Sequence, residues 1–252
     1  MCIKSCTVII LSCDRTGLLL SCLHALEQAI SSARQLVPSF EIVVVDNAGR
    51  FPIAQPELPG SPKLIRVDTH HSFAAANNLA AKGHPAESYL LLNNDVFLHP
   101  GALTPLFDLL TKEPRTGIVG TRLHYPDGSV QHAGVGFGEI PDGGGSHIGI
   151  GNAPATVAQT VQHPQAVTGA CMLIRDQTWQ QLEGLSLRYD FGSEDVDFCL
   201  RAGQHGWRIA CCPGPSSLHL EASTPGRIER DVPSRIQFTS LWKEKITHDI
   251  PS

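Results

Sequence analysis

The run Tyr89-Leu90-Leu91-Leu92-Asn93-Asn94-Asp95-Val96-Phe97 constrains this chain more than any other, because a continuous apolar strand ends abruptly in two amides and a carboxylate. In an open α/β sheet, ligands bind outside the carboxyl ends of the strands. An acidic group at that end can hold a hard cation against phosphate oxygens. The same pattern also suits a strand that runs into an Asn/Asp turn, so the rest of the chain has to decide between the two.

Strand and helix patterns alternate through the first half. Thr7 to Leu11 is a short β-branched run, followed by a helical pattern from Leu18 to about Val37 with Leu19, Leu23, Leu26 and Ile30 on one face. Glu41 to Asp46 and Leu64 to Val67 read as further strands, and the Ala-rich segment from Ser72 to Lys82 as a helix leading into the strand that ends at Asn93. Leu103 to Leu110 is helical, and Gly117 to Gly120 starts another strand. Strands separated by helices imply parallel order with right-handed crossovers. From Gly134 to about Pro164 the chain is rich in Gly and Pro and has no period, which inside a compact domain marks a lid or binding loop. Ala166 to Arg175 then reads as a strand, with a short helix near Trp179 and another from Glu194 to about His205, where Gly206 offers a stop. The residues from Thr224 onward suit either a tail helix or an edge.

A chain of 252 residues can bury a core without staples, and one α/β domain is the default. The formal charge of −5, with 19 Lys plus Arg scattered along the chain, argues against nucleic acid as the main partner. The eight cysteines include no CxxC pair and no zinc spacing, so they read as small buried hydrophobes in a reducing compartment. Cys211 and Cys212, adjacent on a strand pattern, are expected on opposite faces. The amino-terminal apolar run is too short for a signal peptide, and no segment is long enough to span a membrane. A cytoplasmic protein is expected, with peripheral attachment to a membrane left open.

Two acidic sites stand far apart in sequence: Asp95 at a strand end, and Glu194-Asp195-Val196-Asp197 at a helix start. Acids in a first helical turn favour the macrodipole, but three in four positions exceed what capping needs. Asp197 is expected to cap the helix or pair with Arg201 one turn later. Neither GxxxxGK[ST] nor a strand followed by GxGxxG occurs, and GxSxG is absent, so phosphate-loop and serine-hydrolase chemistries lack support.

Five segments in order, TVIIL, VVVDNAG, SFAAANNLA, LLLNNDVFL and VTGACMLIR followed by SEDVDFCLRAGQHGW, resemble glycosyltransferase family 2, especially its rhamnosyltransferase-like branch. The resemblance runs from about Cys6 to Ser223. It implies the GT-A fold: a Rossmann-like α/β domain whose mostly parallel sheet has helices on both faces, with a smaller acceptor-side region. Residues 1–122 would bind the nucleotide sugar, 123–223 would serve the acceptor and catalysis, and 224–252 would form a tail. The implied reaction is inverting, metal-dependent transfer from a UDP- or dTDP-sugar to a hydroxyl acceptor, with Mg2+ or Mn2+ as cofactor.

Carried over by position, the resemblance has the backbone at Thr7, Val8 and Ile9 line the base pocket while Asp46 accepts from the base imide. Asn77 would hold the ribose or diphosphate region. Asn94 and Asp95 take the DXD-like position, with Asp95 on the metal, and His219, followed by Ser223, matches a late histidine near that metal. Asp195 would be the catalytic base and Glu194 would orient it or contact the acceptor. Gly184-Leu185-Ser186-Leu187 lacks the two acids many relatives carry before the Glu-Asp pair, and Ser12-Cys13-Asp14-Arg15 replaces a frequent aromatic and asparagine. His70, His71 and His132 have no assigned role. With so short a carboxyl-terminal part, no attached membrane or partner domain is expected. Two other readings are a non-catalytic nucleotide-sugar-binding module and a sugar nucleotidyltransferase. The latter would carry a Gly-rich, basic loop after the first strand, and Ser12 to Gly17 shows little of one.

Overall fold

The computed structural model describes residues 3–51, 53, 58–138, 145–221 and 227–249, with 227–230 described by their backbone alone. Ser223 and Thr224 lie outside the described residues. Four strands, β1 (Ser5–Ser12), β2 (Ser39–Asn47), β3 (Lys63–Val67) and β4 (Ser88–Asn93), pair in parallel in the order β3-β2-β1-β4. The sheet continues through β10 (Cys171–Arg175), antiparallel to both β4 and β6 (Thr116–His124). Beyond β6 lie β11 (Arg208–His219), parallel to it, and β5 (Val96–Phe97), antiparallel to β11, while β7 (Val130–His132) pairs with β6 off the main path.

The expected strand from Ala166 shortens to begin at Cys171, because Ala170 and its predecessors use their backbone for the cleft described below. The expected loop after Gly134 is partly ordered: β8 (Val135–Gly136) pairs with β9 (Ser146–His147), and Gln162 bridges to Cys211. Residues 139–144 of that loop lie outside the described residues.

The central strands are apolar on both faces because helices cover both. Val8, Ile10, Ile42, Val44, Leu90 and Leu92 enter one core with α1 (Thr16–Ala33) and α3 (Leu103–Lys112). Their neighbours Ile9, Val43, Val45, Tyr89 and Leu91 enter the other, with α2 (Phe73–Gly83), α4 (Asp176–Gln181), α5 (Glu194–Gln204) and α6 (Arg227–Trp242). The alternation follows from the two-residue period of a strand. Cys211 and Cys212 obey it, falling into opposite cores. Burial pushes the thiols of Cys6 and Cys171 up to about 12, so these cysteines stay protonated and act as packing. The tail, left open between helix and edge, is the helix α6. Among the described residues no helix is long and apolar enough to cross a membrane.

Each helix on the cleft side has a local reason for its start. Ser72 caps α2, its hydroxyl accepting from the Ala75 amide at 3.2 Å. Small side chains along its inner positions let α2 sit close to the sheet; Ala74, Ala76, Ala80 and Ala81 are all buried. At α5, Gly192 and Ser193 both adopt positive φ, +76° and +70°, a turn that aims the following acids into the cleft.

A buried arginine joins the two halves of the sheet. Arg175 Nε donates to the Thr116 carbonyl at 3.0 Å, and its guanidinium also reaches the carbonyls of Leu110 and Glu113 at the end of α3. The Leu110 carbonyl, at the helix C-terminus, is thus met by a positive charge, while the Glu113 carbonyl also accepts from the Thr116 amide at 2.9 Å. Arg175→Met keeps the apolar stem and removes the side-chain donor from the buried carbonyls of Thr116 and Leu110. It is expected to lower the unfolding free energy by roughly 2–4 kcal/mol, read from the urea midpoint.

Candidate functional site

The carboxyl ends of β1 and β4 open into a cleft of about 740 Å³. One wall is the strand end and turn from Leu11 to Arg15, with Asn47 and His70. The floor carries Asn93, Asn94, Asp95 and His219, and the far wall is built from Thr168 to Ala170, Phe191 to Val196, and the α6 side chains Asp231, Arg235, Phe238 and Thr239. Asp95 and Asp195, a hundred positions apart, therefore face one cavity of a size that holds a small molecule.

Asp95 is 7% exposed, and its Oδ1 lies 3.2 Å from His219 Nε2. The His219 Nδ1 faces Gln131 Oε1, a carbonyl oxygen that can only accept, so Nδ1 carries the hydrogen. A neutral ring then turns its Nε2 lone pair toward a carboxylate oxygen, a repulsive arrangement at that distance. It becomes favourable with a proton on Nε2 or with a cation shared between the two atoms. The pair thus fits a divalent metal. Among the described residues no group of three His, Cys, Asp or Glu side chains could hold an ion alone, so a ligand's oxygens and water would have to complete the shell, as is usual for Mg2+ beside phosphates. Asn94 is tied down by its amide, which donates to Ser12 Oγ at 3.1 Å.

Asp195 is half-buried and held at both oxygens: Oδ2 accepts from the Gly169 amide at 2.7 Å, Oδ1 from the Val196 amide at 2.8 Å. Glycine at 169 leaves room for this contact: a Cβ there would stand 3.2 Å from both Asp195 Cβ and the Phe73 ring, and one of them would have to give by a few tenths of an ångström. Asp197 faces away from the cavity and pairs with Arg201 at 2.7 Å, as its spacing implies, while accepting from Tyr189 Oη at 3.0 Å and Trp242 Nε1 at 2.9 Å. It is the anchor that locks α5 to α6.

Other residues stand elsewhere than expected. Thr7, Val8 and Ile9 run through the buried middle of β1 and are absent from the cleft wall, which β1 supplies only from Leu11 onward. Thr7 Oγ1 donates instead to the His84 carbonyl at 2.9 Å. The Asp46 carboxylate, 1% exposed, is engaged by Arg66 and by the amides of Gly49 and Ile53, so it shapes the turn after β2 and does not line the cavity. Its neighbour Asn47 does, clamped to both backbone polar groups of His71. Asn77 is fully buried and donates to the Phe73 carbonyl at 2.8 Å within its own helix. The next residue, Asn78, holds the 184–185 segment by two hydrogen bonds to Leu185.

Gln131, His147, Phe73 and the α6 residues are cavity-lining groups that motif spacing did not single out. His132 and His147 stack edge to face at 4.8 Å, and burial pushes both rings toward the neutral form. Glu194 is buried, and its Oε2 has no hydrogen-bond partner among the described residues. Burial, and then the nearby charge of Asp195, push its carboxyl up to about 8 from an ordinary 4.5. The folded state therefore holds a proton that the unfolded state has already released between about 4.5 and 8. Stability from this group is present at low pH and is lost as pH rises through that window. Glu194→Gln mimics the protonated acid and is expected to raise stability near pH 8 by roughly 2–4 kcal/mol while changing it little near pH 4.5. Urea denaturation at the two pH values reads the difference.

Residues 5–232 match the family model described as "Glycosyltransferase like family 2". The chain is 30% identical over 201 residues to the O-antigen biosynthesis protein RfbC of Myxococcus xanthus, covering 76% of this chain and 16% of that protein. It is also 30% identical over 151 residues to the N-acetylglucosaminyl-diphospho-decaprenol L-rhamnosyltransferase of Mycobacterium tuberculosis, covering 55% of this chain and 48% of that one. The chain thus spans half or less of the length of these curated relatives. Among solved structures it resembles GalNAc-T7 with UDP, GalNAc and Mn2+ (TM-score 0.68, 13% identity, 96% of this chain and 49% of that). It also resembles the mannosyltransferase PcManGT from Pyrobaculum calidifontis with GDP-Man and Mn2+ (TM-score 0.65, 15% identity, 97% and 65%). A family match over nearly the whole described chain, joined to this architecture, places the chain in glycosyltransferase family 2, with the GT-A fold.

Proposed function

We propose that the chain catalyses inverting, metal-dependent transfer of a hexosyl or deoxyhexosyl group from a UDP- or dTDP-sugar to a hydroxyl acceptor. The observation that carries this reading is the shared cavity, with Asp95 and His219 on its floor and Asp195 on the opposite wall. The names of the relatives, an O-antigen biosynthesis protein and an L-rhamnosyltransferase, favour a glycan or lipid-linked acceptor.

The nucleoside would lie along the ends of β1 and β2, where Leu11 to Arg15, Asn47 and His70 form the wall. Asp46 supports that wall from below through the Gly49 amide. Asp95 and His219 would hold Mg2+ or Mn2+, which when bound offsets charge on the departing diphosphate. Asp195 receives the acceptor hydroxyl's proton as that oxygen attacks the anomeric carbon, and the bond to the diphosphate oxygen breaks with its electron pair leaving on the nucleotide. One displacement on the face opposite the leaving group inverts the anomeric centre. The two amides that fix Asp195 hold the carboxylate in one orientation, which suits a general base.

Asp195→Asn keeps both main-chain hydrogen bonds and removes the proton acceptor. Transfer is expected to fall by about a hundredfold to ten-thousandfold, with nucleotide affinity retained. Normal turnover by this variant contradicts the assignment. Asp95→Ala should weaken UDP binding in the presence of Mn2+ and leave the metal-free affinity unchanged, which calorimetry with and without the ion measures.

A further inference from the structure

Gln131 contacts two of the cleft's histidines, His147 and His219. It is 2% exposed, at the centre of β7. Its main-chain carbonyl lies 3.1 Å from His147 Nδ1, and its side-chain Oε1 sits on His219 Nδ1. Its amide Nε2 donates to the His219 carbonyl and to Glu221 Oε2, both at 3.4 Å. That division fixes which way the amide faces, since Nε2 has two acceptors and Oε1 is left for the imidazole. Carbonyl oxygens only accept, so both Nδ1 atoms carry hydrogen, and the neutral form of either ring has its lone pair at Nε2 on the opposite edge. One Nε2 faces Asp95. The other belongs to a ring that lines the cavity, and it has no partner among the described residues.

We propose that Gln131 is a positioning residue: through its two carbonyls it sets a single tautomer on His219 and His147, so that His219 offers a lone pair to a divalent cation and His147 an acceptor to the bound sugar nucleotide. The outer partner of a metal-bound histidine commonly fixes its tautomer and tunes affinity by about 10–100-fold. Here one residue would do this for two rings, and do so before any ligand arrives. The proposal rests on the reading that His219 is a cation ligand.

The test has two parts. In the wild-type protein with Mg2+ and UDP, histidine 15N spectra should show both rings protonated at Nδ1 and bare at Nε2, with assignments from His219→Asn and His147→Asn. A proton on Nε2 with a bare Nδ1 in either ring overturns the proposal. Calorimetric Mn2+ titration in the presence of UDP should show Gln131→Leu weaker by about 10–100-fold. Gln131→Glu combined with Glu221→Gln restores the acceptor for His219 Nδ1 but not the donor to the His219 carbonyl, and should recover at least part of the affinity lost in Gln131→Leu. Wild-type affinity in Gln131→Leu, with loss in His219→Ala, refutes the positioning role alone. Wild-type affinity in His219→Ala removes the cation reading and the proposal together.

Discussion

Two antiparallel pairs, Val96 with His219 and Phe97 with Leu218, bring the end of one half of the chain onto the polar turn that closes β4. The Leu220 amide extends the contact by donating to the Asp95 carbonyl at 3.1 Å. Without this pairing Asp95 would be a strand-end acid facing water, and His219 a histidine at a strand terminus. With it, a carboxylate and an imidazole are buried side by side, and their charge has to be balanced locally. The length of β11 follows from the same need. It pairs with β6 along its early residues and must still reach β5, so it shifts register between Cys212 and Ser217, where Pro213 and Pro215 offer no amide to the ladder.

The opposite wall depends on a second set of constraints. Three acids in one helical turn are separated by their surroundings into three different groups. Asp197 is paired with Arg201 and bonded to Tyr189 and Trp242, Asp195 is held by two amides, and Glu194 is buried with no hydrogen-bond partner for its Oε2 among the described residues. Of the three, Asp195 is the one that is both fixed by main-chain amides and set in the cavity wall. The anchoring of Asp197 to Trp242 also explains why α6 belongs to the domain: it closes the cleft that α5 begins. Gly169 ties the backbone that leads into β10 to Asp195 within this wall, and a Cβ there would press on the Asp195 Cβ and the Phe73 ring at 3.2 Å.

Much of this was legible in the sequence because periodicity reports directly on burial. The β-branched and leucine-rich runs of β1, β2 and β4 are buried on both faces, and Leu19, Leu23, Leu26 and Ile30 form the inner face of α1 as spaced. The acids at 95 and 194–195 announced themselves as polar groups at the ends of apolar elements. What a local pattern cannot carry is partner choice across the fold. Nothing near Asp46 in sequence says that Arg66 will occupy its carboxylate, and nothing near Gln131 says that His219 will lie against it. That β1 lines the cavity from Leu11 to Arg15 and not at Thr7–Ile9 has a simpler cause: ligands bind beyond strand ends, and β1 extends to Ser12, past the five residues of its apolar run. β10 shortened for the opposite reason, since Thr168 to Ala170 spend their amides on His132, Asp195 and Thr168 Oγ1 in place of a ladder.

The central claim is that a cation held at Asp95 shares one cavity with the base at Asp195. Paramagnetic broadening by Mn2+ in the presence of UDP measures this directly in solution. The amides of Gly169, Asp195 and Val196 should broaden together with those around Asp95 and His219, and Asp95→Ala should remove the effect from all of them. Sharp signals at Gly169 and Asp195 while another surface broadens would contradict the account.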